Sequence, residues 1–441
     1  MVKKNINLGL IGLGTVGIGF IDLLTAHKKL IFDKTNLNFI IKKAVVSSLS
    51  KKRPPCTDSI ELSTNPDFVT EDPDIDVVIE LSGDISLALQ ALKNTLSHKK
   101  GFITANKALI AEKGEQVWPL FKQHNSLIGF EACVGGSLPI VKVIKESFMP
   151  EQISLVATII NGTANYILST MEQEQLDFAE ALKLAITKGY AEPDPTMDID
   201  GTDTAHKINI IANLAFHRAF KFTKIDKEGI ERITKKDLIY AKSLGYVVKL
   251  LGIAKKTDSN EHHIAVHPTM IKESSSLAPV RGVYNAALIR GDFLGDSLLY
   301  GEGAGAHPTA VAVVSDLIDV VSNLTFVESA KMRHFPQTAY NFQKGELLAV
   351  TELKHEHYLR LTVKDSIGVL SKVAKIISAN EISISKILQQ ESSINDNQHL
   401  IDLIVITHRA KDVNIKKSIA QIDAEDFSCI SPVHLRIEKN I

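Results

Sequence analysis

Short apolar runs alternate with helix-period stretches over the first ~150 residues, which predicts α/β structure. The expected strands are Ile6–Ile11, Phe39–Val46, Asp76–Leu81, Gly101–Thr104 and Leu127–Phe130. Ile85–Leu96 and Glu112–His124 read as helices between them. From Glu151 the pattern changes. Strand-like Ile153–Ile160 runs into the turn Asn161-Gly162, and helices are expected around Asn165–Met171, Asp177–Lys188 and Thr202–Phe216. β-Branched residues return near His263–Val266. Pro308–Leu324 predicts an apolar helix with proline at its start, free to return to the first domain. Arg333–Leu348 has no clear period and reads as a linker, and Tyr358–Ile437 reads strand, helix, strand, strand, helix, strand. That βαββαβ order is ferredoxin-like.

Composition narrows the class. At roughly 150 residues per domain, 441 residues make two or three domains. Fifty basic and 51 acidic side chains leave a net charge of -1, which gives no global pull toward nucleic acid or a membrane surface. A 44% hydrophobic content with 23% charge excludes wholesale disorder. Cys56, Cys133 and Cys429 are far apart and match neither a disulfide framework nor zinc spacing, which fits a reducing cytoplasm. Lys3 and Lys4 precede an apolar stretch from Leu8 to Leu24, but five glycines and Asp22 interrupt it, so it does not read as a secretion signal. No stretch approaches the ~18 apolar residues of a membrane span.

Gly12-Leu13-Gly14-Thr15-Val16-Gly17 is a G-x-G-x-x-G placed between a strand and a helix. Gly12 permits the tight turn, Gly14 lets a pyrophosphate approach the backbone, and Gly17 lets helix and strand pack closely. The helix's free N–H groups then face phosphate. The alternative is a glycine turn without a ligand. An NAD site usually places an acid about 20 residues on. Here Val45-Val46-Ser47-Ser48 is followed by Lys51, Lys52 and Arg53. Hydroxyls and cations suit the 2′-phosphate of NADP; a merely solvated basic loop is the other reading.

Three later segments carry candidate chemistry. Thr104-Ala105-Asn106-Lys107 ends a strand of the nucleotide domain, where Lys107 stands beside the ligand crevice or is simply surface. Glu131-Ala132-Cys133-Val134-Gly135-Gly136-Ser137-Leu138-Pro139 pairs a carboxylate with an irregular turn whose carbonyls suit a hard cation, unless it is a plain strand-to-helix turn. Gly189–Lys207 concentrates acids and ends on a lysine. It is no calcium loop, because aligning Gly201 with the loop glycine puts Lys207 where the bidentate acid belongs. Asp203 and Lys207 share a helix face, either as a surface ion pair or as an acidic pocket for an ammonium with a lysine that moves a proton.

These segments, with Asn161-Gly162-Thr163, Asn165-Tyr166-Ile167-Leu168 and Gly301–Pro308, resemble the homoserine dehydrogenase family in their order over residues 5–325. The resemblance implies reversible oxidation of homoserine to aspartate 4-semialdehyde with NADP, or alternatively NAD, on the route to threonine and methionine. It implies that Lys207 is the proton donor and acceptor, that Glu192, Asp198 and Asp203 line the substrate site, and that Lys107 contacts cofactor and substrate. Thr104, Lys51, Gly303 and Gly305 join the glycine turn as cofactor-binding candidates. Glu131 with Val134, Gly136 and Leu138 resembles the family's sodium site. Ser47-Ser48 stands where the family often has Arg-Asp, and Glu302 places a negative charge in the glycine loop.

The C-terminal pattern resembles an ACT domain, an amino-acid-sensing module, with threonine as the implied effector. Ile367 replaces the proline usual before Gly368. The expected organisation is a Rossmann-type domain at 1–130 completed by 308–325, an α+β substrate and dimerisation domain at 131–307, a linker at 326–353 and the ACT-like domain at 354–441. A homodimer or homotetramer is expected, with no nucleic acid or membrane partner. Two other readings are an acylating semialdehyde dehydrogenase with Cys133 as nucleophile, and a non-catalytic amino-acid sensor.

Overall fold

The computed structural model describes residues 5–124, 128–257, 261–326, 340, 342–349, 352–391 and 400–441. Two compact units each gather three stretches of chain. The first contains Met1–Val156, His206–Ile225 and Tyr284–Gly345; the second contains Ala157–Ala205, Asp226–Val283 and Glu346–Ile441.

In the first unit, strands β1 (Asn5–Ile11), β2 (Asn38–Val45), β3 (Glu61–Ser63), β4 (Val77–Glu80), β5 (Gly101–Thr104) and β6 (Ile128–Gly129) form one sheet. Their order is β3-β2-β1-β4-β5-β6 and every pairing is parallel. The β4 and β5 strands are buried throughout, which explains their continuous apolar runs. The sheet winds outward both ways from β1 and β4, so its switch point lies at their C-terminal ends. Three-residue β3 was not anticipated, since one apolar residue shows no period. The helix expected over Glu112–His124 is present as Gly114–His124, and a short helix that was not expected, Lys107–Glu112, precedes it. Helix Ala306–Phe326 buries Ala310, Val313, Leu317 and Val321 in one core with Leu8, Leu10, Phe20, Ile79 and Ile103. Gly101 makes this approach possible, because a Cβ there would lie 2.5 Å from Val320.

In the second unit, Tyr246–Lys256 pairs antiparallel with His262–Lys272 along its whole length. The C-terminal elements follow in the order Lys354–Lys364, Val369–Ala379, Ile384–Glu391, Leu400–Thr407, Asp412–Asp423 and Ser428–Glu438, with a two-residue strand at Ala410–Lys411. Ser428–Glu438 pairs with His262–Lys272 as well as with Lys354–Lys364. Charged side chains reinforce the join. Arg360 donates to Asp237 at 2.7 and 3.1 Å, and Arg436 reaches Glu228 at 3.1 Å. Much of the linker expected at 326–353 lies outside the described residues.

Candidate active site

The glycine turn sits at the end of β1. Gly12 adopts φ 100°, and a Cβ there would come within 2.7 Å of the Leu81 carbonyl. Gly17 approaches the Gly12 carbonyl equally tightly. Gly14 differs: a Cβ would meet nothing within 4 Å. It is the N-cap of helix Thr15–Ala26, makes no side-chain cap, and has no acid in the turn that follows. An uncapped helix start beside open space is a cradle for an anion, so this turn fits a dinucleotide pyrophosphate. After β2, Arg53 donates to the Ser48 and Lys51 carbonyls at 2.5 and 2.9 Å, which folds the loop while Lys51 and Lys52 remain exposed.

At the neighbouring strand ends, Glu80 is fully buried and accepts from the Ser82 amide, the Ser82 hydroxyl and the Thr104 hydroxyl at 2.6–2.7 Å. Burial raises its pKa. The Thr104 hydroxyl thus braces the strand ends and also accepts from the Asn106 amide. The one sign of Glu80 in the sequence is an acid that ends the apolar run Val77-Val78-Ile79. Asn106 caps the short helix on which Lys107 is the first residue and half-buried. Cys133 is buried, its Sγ lies 3.3 Å from the Thr104 carbonyl, and burial pushes its thiol pKa up. That environment is wrong for a nucleophilic thiolate.

Both Glu131 oxygens accept main-chain N–H bonds, from Val141 at 2.9 Å and Lys142 at 2.8 Å. Burial and then the Asp316 carboxylate push Glu131 up to about 7. Asp316 in turn accepts from the Glu131 amide. The turn offers the donor types a hard cation takes, one carboxylate and the carbonyls of Val134, Gly136 and Leu138. The carbonyls of Val134 and Leu138 already accept from Gly136 and Ile140. The turn also meets the glycine loop. Ser137 donates its amide and hydroxyl to the Glu302 carbonyl, and a Cβ on Gly136 would strike the Gly303 carbonyl at 2.5 Å. Gly303 is itself hemmed in by Asn285, whereas Gly305 has φ 121° and Glu302 is exposed.

The acidic segment is organised by Asn161. Its Oδ1 accepts from the Ala164 amide at 2.7 Å and caps helix Gly162–Glu174. Its Nδ2 donates to Asp198 at 2.7 Å and Asp203 at 2.9 Å. Asp203 is only 6% exposed and opens helix Thr202–Ala215. Lys207, half-buried, stands four residues along the same helix. The structure thus joins Asp198 and Asp203 on one amide, while Glu192 lies on an exposed turn. Next to Lys207, His206 is buried against Phe222 and bonds Glu112 at 2.8 Å. The sequence motif contained Asn161, but nothing in its spacing announced this role.

A sheet wound outward from an uncapped glycine turn is the frame on which a nicotinamide dinucleotide is held for hydride transfer, and the class of protein is an NAD(P)-dependent oxidoreductase. The particular family emerges from comparison with known proteins. Residues 12–131 match the model "Homoserine dehydrogenase, NAD binding domain", and residues 139–318 match "Homoserine dehydrogenase". The chain is 38% identical to a homoserine dehydrogenase from Neisseria gonorrhoeae, over 96% of each chain. It is 36% identical to one from Pseudomonas aeruginosa, over 99% of each. A solved homoserine dehydrogenase from Thiobacillus denitrificans superposes with a TM-score of 0.89 at 36% identity, covering 99% of both chains. The chain belongs to the homoserine dehydrogenase family. No described helix is long and apolar enough to cross a membrane.

Proposed function

We propose that the protein reversibly interconverts L-homoserine and L-aspartate 4-semialdehyde in the cytoplasm, on the route to threonine and methionine. One observation carries the site assignment: buried Asp203 and half-buried Lys207 lie one turn apart on helix Thr202–Ala215. Bound nicotinamide nucleotide supplies the acceptor or donor of hydride. Lys207 takes the hydroxyl proton as the carbonyl forms and returns it in the reverse direction. Asp198 and Asp203, with Glu192, attract the substrate ammonium, and Lys107 orients the reacting end.

The cofactor is NADP in preference to NAD, because Lys51 and Lys52 stand exposed after β2 with no acid among Ser47–Ser50. Gly12 to Gly17 hold the pyrophosphate, Thr104 braces the crevice, and Gly303 and Gly305 shape the covering loop. Glu131 and the carbonyls of Val134, Gly136 and Leu138 hold sodium. The functional division is a nucleotide domain at 1–130 completed by 308–325, a substrate and dimerisation domain at 131–307, a linker at 326–353 and an ACT-like regulatory domain at 354–441. Threonine is the proposed effector of that last domain, where Ile367 stands wholly exposed before Gly368. The active form is a homodimer or homotetramer.

The test is homoserine-dependent reduction of NADP by the purified protein, followed by absorbance of the reduced cofactor. Reduction that needs both homoserine and protein is expected. No reduction in either direction by folded, cofactor-binding protein would defeat the assignment.

A further inference from the structure

We propose that Asn161 is a positioning residue that clamps Asp198 and Asp203 into the arrangement that receives the substrate ammonium; this rests on the site reading above. Asn161 is 5% exposed, and its carboxamide is engaged at both ends. The Oδ1 atom caps helix Gly162–Glu174 through Ala164, and the two N–H bonds of Nδ2 go to Asp198 and Asp203. A primary amide has two such donors, so both are committed to carboxylates.

The helix cap does not by itself account for asparagine. Serine or aspartate would cap as well, since each presents an oxygen to the same amide. Only the carboxamide adds a pair of donors on the opposite side. Two carboxylates brought to one place repel each other, and a donor shared between them offsets that repulsion. Fixing one oxygen of each acid also fixes where an ammonium meets them.

Asn161 is itself held in place. Gly162 lies so near the Val283 carbonyl that a Cβ would sit 2.8 Å from it. Asn165, one turn into the helix, donates to the Gly282 carbonyl at 3.0 Å. Buried Lys249 donates to Asn165 at 3.3 Å and also to the Val280 carbonyl. The start of this helix is therefore anchored to the 280–283 segment, and the amide takes its position from that anchor.

Full-length Asn161→Ser and Asn161→Asp variants separate clamp from cap, because both retain the capping oxygen. The KM and kcat for homoserine, the KM for NADP and the melting temperature are measured beside Asp198→Asn and Asp203→Asn. The homoserine KM is expected to rise about tenfold in Asn161→Ser, the scale of one charge-assisted hydrogen bond, and further in Asn161→Asp, where a third acid replaces the donor. The NADP KM should stay within about twofold and melting close to wild type, as expected when the cap is kept. An unchanged homoserine KM in Asn161→Ser and Asn161→Asp, with a raised KM in Asp198→Asn or Asp203→Asn, overturns the clamp and leaves the site reading standing. An unchanged KM in all four variants overturns both.

Discussion

The glycine turn after β1 works through residues that lack side chains, whereas the C-terminal part of the mixed sheet encloses charged side chains in pairs. At the first, Gly12 and Gly17 let backbone approach backbone, and Gly14 leaves open the space a ligand needs. In the second, Arg360, Asp237 and Tyr358 are buried and bonded together, and His355 lies 3.3 Å from both Asp412 and Glu438. The difference predicts how each region fails. Adding atoms damages the nucleotide turn. Removing a partner damages the mixed sheet, because a buried charge is left without its counter-charge.

The largest effect on folding is expected at Arg360. Arg360→Ala strands the Asp237 carboxylate, which has no solvent exposure, and should cost ~3–5 kcal/mol in urea denaturation. A loss near that of a surface pair, below about 1 kcal/mol, would erase the contrast between the regions. Lys107→Ala acts at the other region, on turnover. Its kcat should fall by about 10²-fold, the scale of misplaced reactants, while melting is unchanged; full activity would make Lys107 a surface residue. A smaller effect is expected from replacing Lys51 and Lys52 together with alanine. The kcat/KM for NADP should drop about fivefold and that for NAD should hold, as expected when a charged contact to the 2′-phosphate is lost. An equal drop with both cofactors would remove the 2′-phosphate from the account.

The smallest effect concerns Glu131. Its folded pKa of about 7 exceeds the ordinary 4.5, so the folded state holds that proton more tightly. The stability this contributes is full below pH 4.5 and is lost as pH rises through 7. A sodium ion beside the carboxylate would oppose that loss. Replacing choline chloride with sodium chloride should then raise the melting temperature by about 2–4 °C near pH 8 and by less near pH 5.5. Equal gains at the two pH values, or a gain retained in Glu131→Gln, would place sodium elsewhere.

Elements whose pattern is local were legible in the sequence. Buried parallel strands announce themselves as apolar runs, and the glycine turn and the helix bearing Asp203 and Lys207 follow from spacing. Hairpin Tyr284–Gly291 and Gly295–Glu302 went unread, since its second strand is largely exposed and shows no clean alternation. Lys236 and Tyr240 bond Asp402, a partner more than 160 positions away. Asn161 was visible only as part of a motif, because its two acids come from elements that folding brings to it. Pairings between distant segments leave no periodic trace.

The most direct measurement is steady-state oxidation of homoserine by Lys207→Ala, with cofactor binding and melting measured on the same sample. A kcat lowered by about 10²-fold or more is expected, the scale of a lost general acid–base group, with binding and fold intact. A kcat near wild type in that folded, cofactor-binding variant would contradict the assignment of proton transfer to this helix.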